Sequence, residues 1–212
     1  GEAVADARRA QAGERGEVRI GFTSSLPFTD LLPDVLNAYR RRFPAVRLQL
    51  QEMFTSAQFY GLARGELDVG FVRLQDGAPP AGIVLREIAR NPLRLVVNVG
   101  HRLAKAAQVS FADLADEDFI SFPGDIGTDL PEVLRALCRK AGFEPRIVLS
   151  ARAATTQIGL VAAGLGVALL PAPLESVRIA RVRYLPLAEP EAEFRLAVAS
   201  AEGPGAPVRG GF

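Results

Sequence analysis

The sequence predicts an α/β fold of two subdomains, each built on a mostly parallel sheet. Three observations carry this. Strand-like apolar runs alternate with helical patterns along most of the chain, the order expected when crossover helices join parallel strands. The pattern restarts after Asn91-Pro92. Residues 155–171 compress one repeat of it: Ile158, Val161 and Ala162 recur at helical spacing, Gly164 supplies a left-handed stop, and Val167-Ala-Leu-Leu170 reads as a strand covered on both faces.

In chain order, residues 2–15 are rich in Ala, Arg and Glu and polar on nearly every side, as in the end of a longer helix that continues from something upstream. Residues 17–22 alternate as a strand. Ser24 or Ser25 then caps a helix over about 27–42, with Pro27 in its first turn and Leu31, Leu32, Val35, Leu36, Tyr39 and Phe43 as its apolar stripe. Pro44 stops it. Residues 46–52 alternate as a second strand, Thr55 opens a helix that ends near Gly65, and strands follow at 67–72 and 83–88. Past Asn91-Pro92 the expected order is a strand at 93–98, a helical turn at 111–115, a strand at 119–122 and a Pro-Gly-Asp loop. A helix at about 130–141 capped by Thr128 and Asp129 comes next, then a strand at 146–149 and the 155–171 stretch, capped by Thr155 and Thr156. Strands at 182–185 and 194–199 complete the pattern, and the tail from 203 reads as loop or disorder. No internal repeat shows at a fixed period.

Composition narrows the function classes. Hydrophobic residues are 49% of the 212, enough for a packed core. Twenty-five basic and 24 acidic residues leave a net charge of +1, so no overall field favours nucleic acid or a membrane surface. No apolar run approaches the roughly 20 residues that span a bilayer. The N-terminus has no signal-peptide core, and Cys138, the single cysteine, can form no internal disulfide; both favour the cytoplasm. Cys138 reads as a small core residue. His101 is the only histidine and reads as a loop residue. Glu66 and Asp68 read as a solvated edge, and Gly164-Leu-Gly166 as a helix-to-strand turn without phosphate-loop spacing. Catalytic residues, metal ligands and cofactors are not expected.

The constellation that carries chemistry is a recurrence. Four helices begin just after a strand, with Ser24/Ser25, Thr55, Thr128/Asp129 and Thr155/Thr156 at their starts. In an open parallel sheet ligands sit outside the carboxyl ends of the strands, where helix N-termini present free N–H groups and partial positive charge. Two such sheets facing across a hinge make a cleft for a small anion, typically a carboxylate, with Leu26, Phe122 and Leu130 covering its body. The same residue types also cap helices for stability alone; fourfold recurrence points to a shared cleft.

The motifs in this order resemble the effector-binding domain of LysR-type transcriptional regulators. They are Val18-Arg-Ile-Gly-Phe22, Leu32-Pro33 with the helix to Phe43-Pro44, and Leu62-Ala-Arg-Gly-Glu-Leu-Asp-Val-Gly-Phe71. His101-Arg-Leu-Ala104, Asp113-Leu114 and residues 159–171 continue the match, which covers about 16–200. The resemblance implies two periplasmic-binding-protein-like subdomains joined by two crossover strands with the effector between them. Subdomain I would be 16–92 plus 194–212, subdomain II 93–193, and 1–15 a remnant of the linker helix, the DNA-binding domain being absent. The family's ligand contacts fall on Ser25, Leu26, Thr55, Thr128, Asp129, Leu130 and Phe194; the cap argument adds Ser24, Phe122 and Thr155.

Gln51-Glu-Met53, Ala57-Gln58 and Gly70-Phe-Val-Arg73 look most like the regulators of aromatic and catechol catabolism, which sense muconate- or benzoate-like acids. Their second benzoate site would match Arg73 and Arg90, residues that serve equally well as edge-strand or interdomain salt-bridge partners. The partners implied are a small organic acid, further copies of the chain in a homodimer or tetramer, and operator DNA and RNA polymerase through a full-length parent; no membrane is implied. Two rivals remain: a solute-binding protein of transport, which has the same architecture, and a small α/β transferase or prephenate-dehydratase-like enzyme, which would also bind carboxylates. The enzyme needs a general acid/base set.

Overall fold

The computed structural model describes residues 16–74, 78–125 and 128–202. The linker remnant expected at 1–15 and the tail from 203 lie outside these residues. The described chain forms two compact units: one holds residues up to Ile88 and from Leu196 on, the other is Ala89–Arg195. The chain passes from one to the other within two strands, β4 (Ile83–Asn98) and β9 (Glu193–Ala201).

In the first unit β1 (Gly16–Phe22) lies between β2 (Val46–Glu52) and β3 (Val69–Leu74) and is parallel to both. The helices α1 (Leu31–Arg42) and α2 (Thr55–Ala63) precede β2 and β3 respectively. In the second unit β5 (Asp118–Ser121) lies between β6 (Arg146–Ser150) and β7 (Val167–Pro171), again parallel to both. Here α3 (Leu130–Lys140) precedes β6 and α4 (Ala154–Ala162) precedes β7. The last part of β4 runs antiparallel to β7 and to β8 (Val182–Pro186). The two units therefore repeat one topology that the residues do not announce, because many apolar sequences satisfy the same burial pattern.

Burial follows strand position. Every residue of β7 and all but the last of β3 are buried, as parallel strands covered on both faces require. Phe71 and Phe119 are among the largest fully buried side chains. Both α2 and α4 end the same way: the N–H of Glu66 reaches the carbonyl of Gly61 at 2.8 Å, and that of Leu165 reaches Leu160 at 3.2 Å. Gly65 (φ +67°) and Gly164 (φ +79°) make the left-handed step these closures need.

Two expected elements take another form. The helix expected over 27–42 is split into a 3-10 turn, Leu26–Phe28, and α1. Thr29 is extended (φ −108°, ψ 160°) and its hydroxyl donates to the Leu26 carbonyl at 2.7 Å, which closes the turn before a helix can propagate. The separate strands expected at 83–88 and 93–98 are one strand, β4, which runs through Asn91 and Pro92. Pro92 is exposed there; a proline is tolerated in a strand where no ladder donor is required. The boundary between units falls at Ile88/Ala89, inside that strand.

Charge ties β1 to the start of β3. Asp68 accepts from the Arg19 backbone N–H (2.8 Å), Nε (3.1 Å) and Nη2 (2.9 Å), and its own N–H donates to the Arg19 carbonyl (2.9 Å). Burial pushes the Asp68 carboxyl up, but the hydrogen bonds and charge of Arg19 outweigh it and hold it below the ordinary carboxylate value. A carboxyl depressed in the folded state contributes stability above its unfolded pKa, and that stability is lost as pH falls through the folded value. Asp68→Asn is therefore expected to cost about 1 kcal/mol at pH 7. Urea melts at pH 7 and pH 3 check this: the gap from wild type should narrow at pH 3, and a constant gap would refute the charge argument.

Cys138 is buried in α3, and burial, with Glu144 adding, pushes its thiol up to about 12, so it is held as the inert thiol. Among the described residues no helix is long and apolar enough to cross a membrane.

Candidate functional site

Parallel strands bring their carboxyl ends to one edge, so each unit has an edge where strand-to-helix turns gather. In the first unit β1 leads to Ser24, Ser25 and Leu26, and β2 leads through Met53-Phe54 to Thr55. Thr55 is buried, and its Oγ1 accepts the Arg73 N–H from β3 at 3.1 Å. Thr55 is not the helix cap that the sequence suggested. The N-cap of α2 is Phe54, extended at φ −67°, ψ 157° and without a side-chain acceptor. Ser25 starts the 3-10 turn with helical dihedrals (φ −84°, ψ −20°) and makes no side-chain capping bond. Leu26 is only 1% exposed and belongs to the core.

The second unit repeats the arrangement with different residues. Phe122 follows β5 and is buried. Asp129 stands at the N-cap of α3 without a side-chain capping bond, and Thr128 Oγ1 accepts the Leu130 N–H only at 3.5 Å. Leu130 is buried. Thr155 and Thr156 are exposed and lie inside the first turn of α4, whose N-cap is Ala153 (φ −109°, ψ 133°). The sequence misplaced this cap because a hydroxyl two positions late, at Thr155, looks the same in a pattern.

The remaining predicted residues fall in both units. Phe194 is buried in β9 within the second unit. Arg73 is buried in β3 of the first unit, while Arg90 is exposed on β4 in the second and pairs with Glu193 at 3.0 Å. His101 closes a turn: its Nδ1 accepts the Leu103 N–H (3.2 Å) and its Nε2 meets Glu117 (2.9 Å), which Arg102 also holds. Glu66 and Asp68 pair with Arg64 and Arg19 rather than with each other. Among the described residues no cluster of three His, Cys, Asp or Glu is placed to hold a metal ion.

Sequence reasoning gave no structural role to Gln58, which enters only within the Ala57-Gln58 motif, or to Gln157. Both are 0% exposed, in the first turns of α2 and α4. They stand 99 residues apart, as do Gly65 and Gly164. That shared offset is the one sequence signal that marks them. A groove of about 550 Å³ on the first unit is lined by Leu32, Leu36, Arg40, Val46, Leu48 and Leu50 among others. None of the predicted ligand residues lines it.

Paired α/β units, linked by two strands and presenting uncapped helix starts at the carboxyl ends of parallel strands, define a ligand-binding module of the periplasmic-binding-protein-like class. The chain belongs to the LysR substrate-binding domain family, whose model matches residues 11–208. It is 40% identical over 191 residues to YnfL, an uncharacterized HTH-type transcriptional regulator of Escherichia coli K12, covering 90% of this chain and 64% of that protein. It is 35% identical over 178 residues to the HTH-type transcriptional regulator BenM of Acinetobacter baylyi, covering 82% of this chain and 57% of that one. The effector-binding domain of BenM, solved with its effector benzoate, superposes with a TM-score of 0.75 at 30% identity, covering 90% of this chain and 85% of that domain. The chain thus spans less than two thirds of the length of these two regulators.

Proposed function

We propose that this domain senses a small organic acid, benzoate- or muconate-like, at the strand carboxyl ends and passes the signal to a DNA-binding domain of a cytoplasmic LysR-type regulator. One observation carries the reading. The helices α2 and α4 begin at those ends with N-caps, Phe54 and Ala153, that make no side-chain capping bond. Their first N–H groups and the positive end of each helix dipole are thereby left for an anion. Thr55 adds a buried hydroxyl whose oxygen already accepts from Arg73, so its proton is available to an acceptor on the ligand. The benzoate bound by the BenM domain supports the choice of acid. Binding selects among pre-existing arrangements of the domain, with the acid leaving unchanged.

The test is thermal unfolding of the domain against benzoate, cis,cis-muconate, chlorinated muconates and common metabolic acids. At 100 times the dissociation constant, a ligand should raise the melting temperature by roughly 5–10 °C. Thr55→Ala should abolish most of that shift. If no acid shifts the transition, the acid reading fails and amino acids become the next class to try.

The partner we propose for the first unit's apolar groove is a second copy of the chain. Leu50 on β2 of that unit and Val148 and Leu149 on β6 of the other are exposed apolar residues. They are expected to be covered in a homodimer or tetramer, and operator DNA and RNA polymerase would be reached through the parent protein. Leu50→Glu should shift the domain toward monomer in sedimentation-velocity runs; a monomeric wild type at tens of micromolar, about the level at which a weak interface assembles, would overturn this.

A further inference from the structure

We propose that Gln58 and Gln157 are paired positioning residues: each is an internal clamp that holds a strand-to-helix turn, and so keeps the start of α2 or α4 aimed at the ligand.

The two turns are tied at matching points. In the first unit the N–H of Met53 donates to the carbonyl of Phe22, at the end of β1 (2.9 Å). In the second, the N–H of Ala151 donates to the carbonyl of Ser121, at the end of β5 (3.0 Å). Met53 and Ala151 are therefore structural equivalents, each joining an edge strand to its central strand. Their carbonyls then receive the glutamine amides: Gln58 Nε2 donates to Met53 (3.0 Å), and Gln157 Nε2 to Ala151 (3.1 Å). The second turn is one residue longer, so the same contact spans five residues in one unit and six in the other. Gln58 Nε2 also donates to the Phe71 carbonyl on β3 (3.1 Å), and Thr55 on the same helix accepts from Arg73. The start of α2 is thus fastened to β1 through Met53 and directly to β3.

The amide orientation is set by chemistry. Carbonyl oxygens can only accept, so the NH2 must face them. That leaves Oε1 of both glutamines buried with no hydrogen-bond partner among the described residues. A buried unsatisfied oxygen is costly, and an apolar side chain of equal size would avoid it. The chain carries that cost twice, at the same place in two turns that differ by one residue in length. Room for one of them is built in: a Cβ on Gly70 would stand 2.8 Å from Gln58 Oε1, and one on Gly21 3.1 Å from it. The contact common to both sites is the donor bond to the turn, which identifies the turn as what the residue serves.

The clamp follows from the geometry alone; its consequence for an acid rests on the function proposed above. Gln58→Met and Gln157→Met keep the volume and remove the donor. Amide hydrogen exchange by NMR reads the clamp without any ligand. In Gln58→Met the amide at position 58, bonded to Phe54 at 3.0 Å in the wild type, should exchange about tenfold faster, with the amides of β1 and β3 unchanged. Gln157→Met should do the same at position 157 only. Unchanged exchange at these amides, or an equal rise throughout the unit's sheet, overturns the proposal. Should Gln58→Met fail to fold, Gly70→Ala displaces the same amide without deleting it and should give the same local rise. Titration with benzoate and muconate then reads positioning: affinity should fall at least about tenfold while the melting temperature stays close to wild type. Equal affinity in wild type and variant also overturns it. A wild type that binds no acid defeats the reading of the site, and the exchange pattern still decides the clamp.

Discussion

Gly166→Ala is expected to lower the melting temperature of the domain by roughly 6–12 °C, corresponding to about 3 kcal/mol. Gly166 sits between Gly164 and β7 at φ +151°, a backbone state that residues with a Cβ rarely adopt. An added Cβ would lie 2.6 Å from the carbonyl oxygen of Asp118, a backbone atom, and 3.2 Å from Ile120 Cγ1. A flexible side chain could step aside, but Asp118 is held in β5, and β5 is in register with β7 through Phe119↔Val167. Relief therefore requires the two strands to part or the turn to rebuild, and strain of this kind costs about 1–3 kcal/mol before the clash is added. Thermal denaturation followed by circular dichroism decides it. A transition within about 2 °C of wild type, less than 1 kcal/mol for a domain of this size, would mean that β5 yields easily.

Phe71→Ala should cost about 3–5 kcal/mol, and Phe71→Leu under half of that. Phe71 is 1% exposed on β3, a strand buried on both sides, so truncation leaves a cavity with no solvent route to fill it. Its backbone carbonyl carries the Gln58 bond and is untouched by the change. The loss should therefore appear as stability and not as ligand selectivity. Urea unfolding of the two variants measures it, with slopes near the wild-type value; equal costs for Ala and Leu would show that shape at this position matters more than volume.

These two cases mark what was legible in advance. The apolar runs at 67–72 and 167–170 identified β3 and β7 as buried strands, because continuous hydrophobicity in a short segment has few other uses. Gly164 was readable as a helix stop for the same local reason, and its φ of +79° agrees. The helix starts were less legible. A hydroxyl near a helix start is a cap, a first-turn residue or a ligand contact depending on one position of register. The structure puts Thr55 and Thr155 inside their helices, behind Phe54 and Ala153. That shift changes the chemistry, since a helix without a side-chain cap offers its N–H groups outward.

Periodicity, glycine placement and motif order were sufficient to establish an α/β chain of the LysR substrate-binding kind, because those signals depend on neighbours within one helix or strand. What needed the tertiary structure is every feature that joins distant residues. Proline at 92 sits exposed inside β4, a strand that continues through it from Ile83 to Asn98. Asp68 found Arg19 across 49 residues, and Thr55 found Arg73 across 18. Gln58 is buried where its amide meets the Phe71 carbonyl on β3, 13 residues on. Burial and long-range hydrogen bonding arise from how strands stack, and no window of local sequence contains the partner.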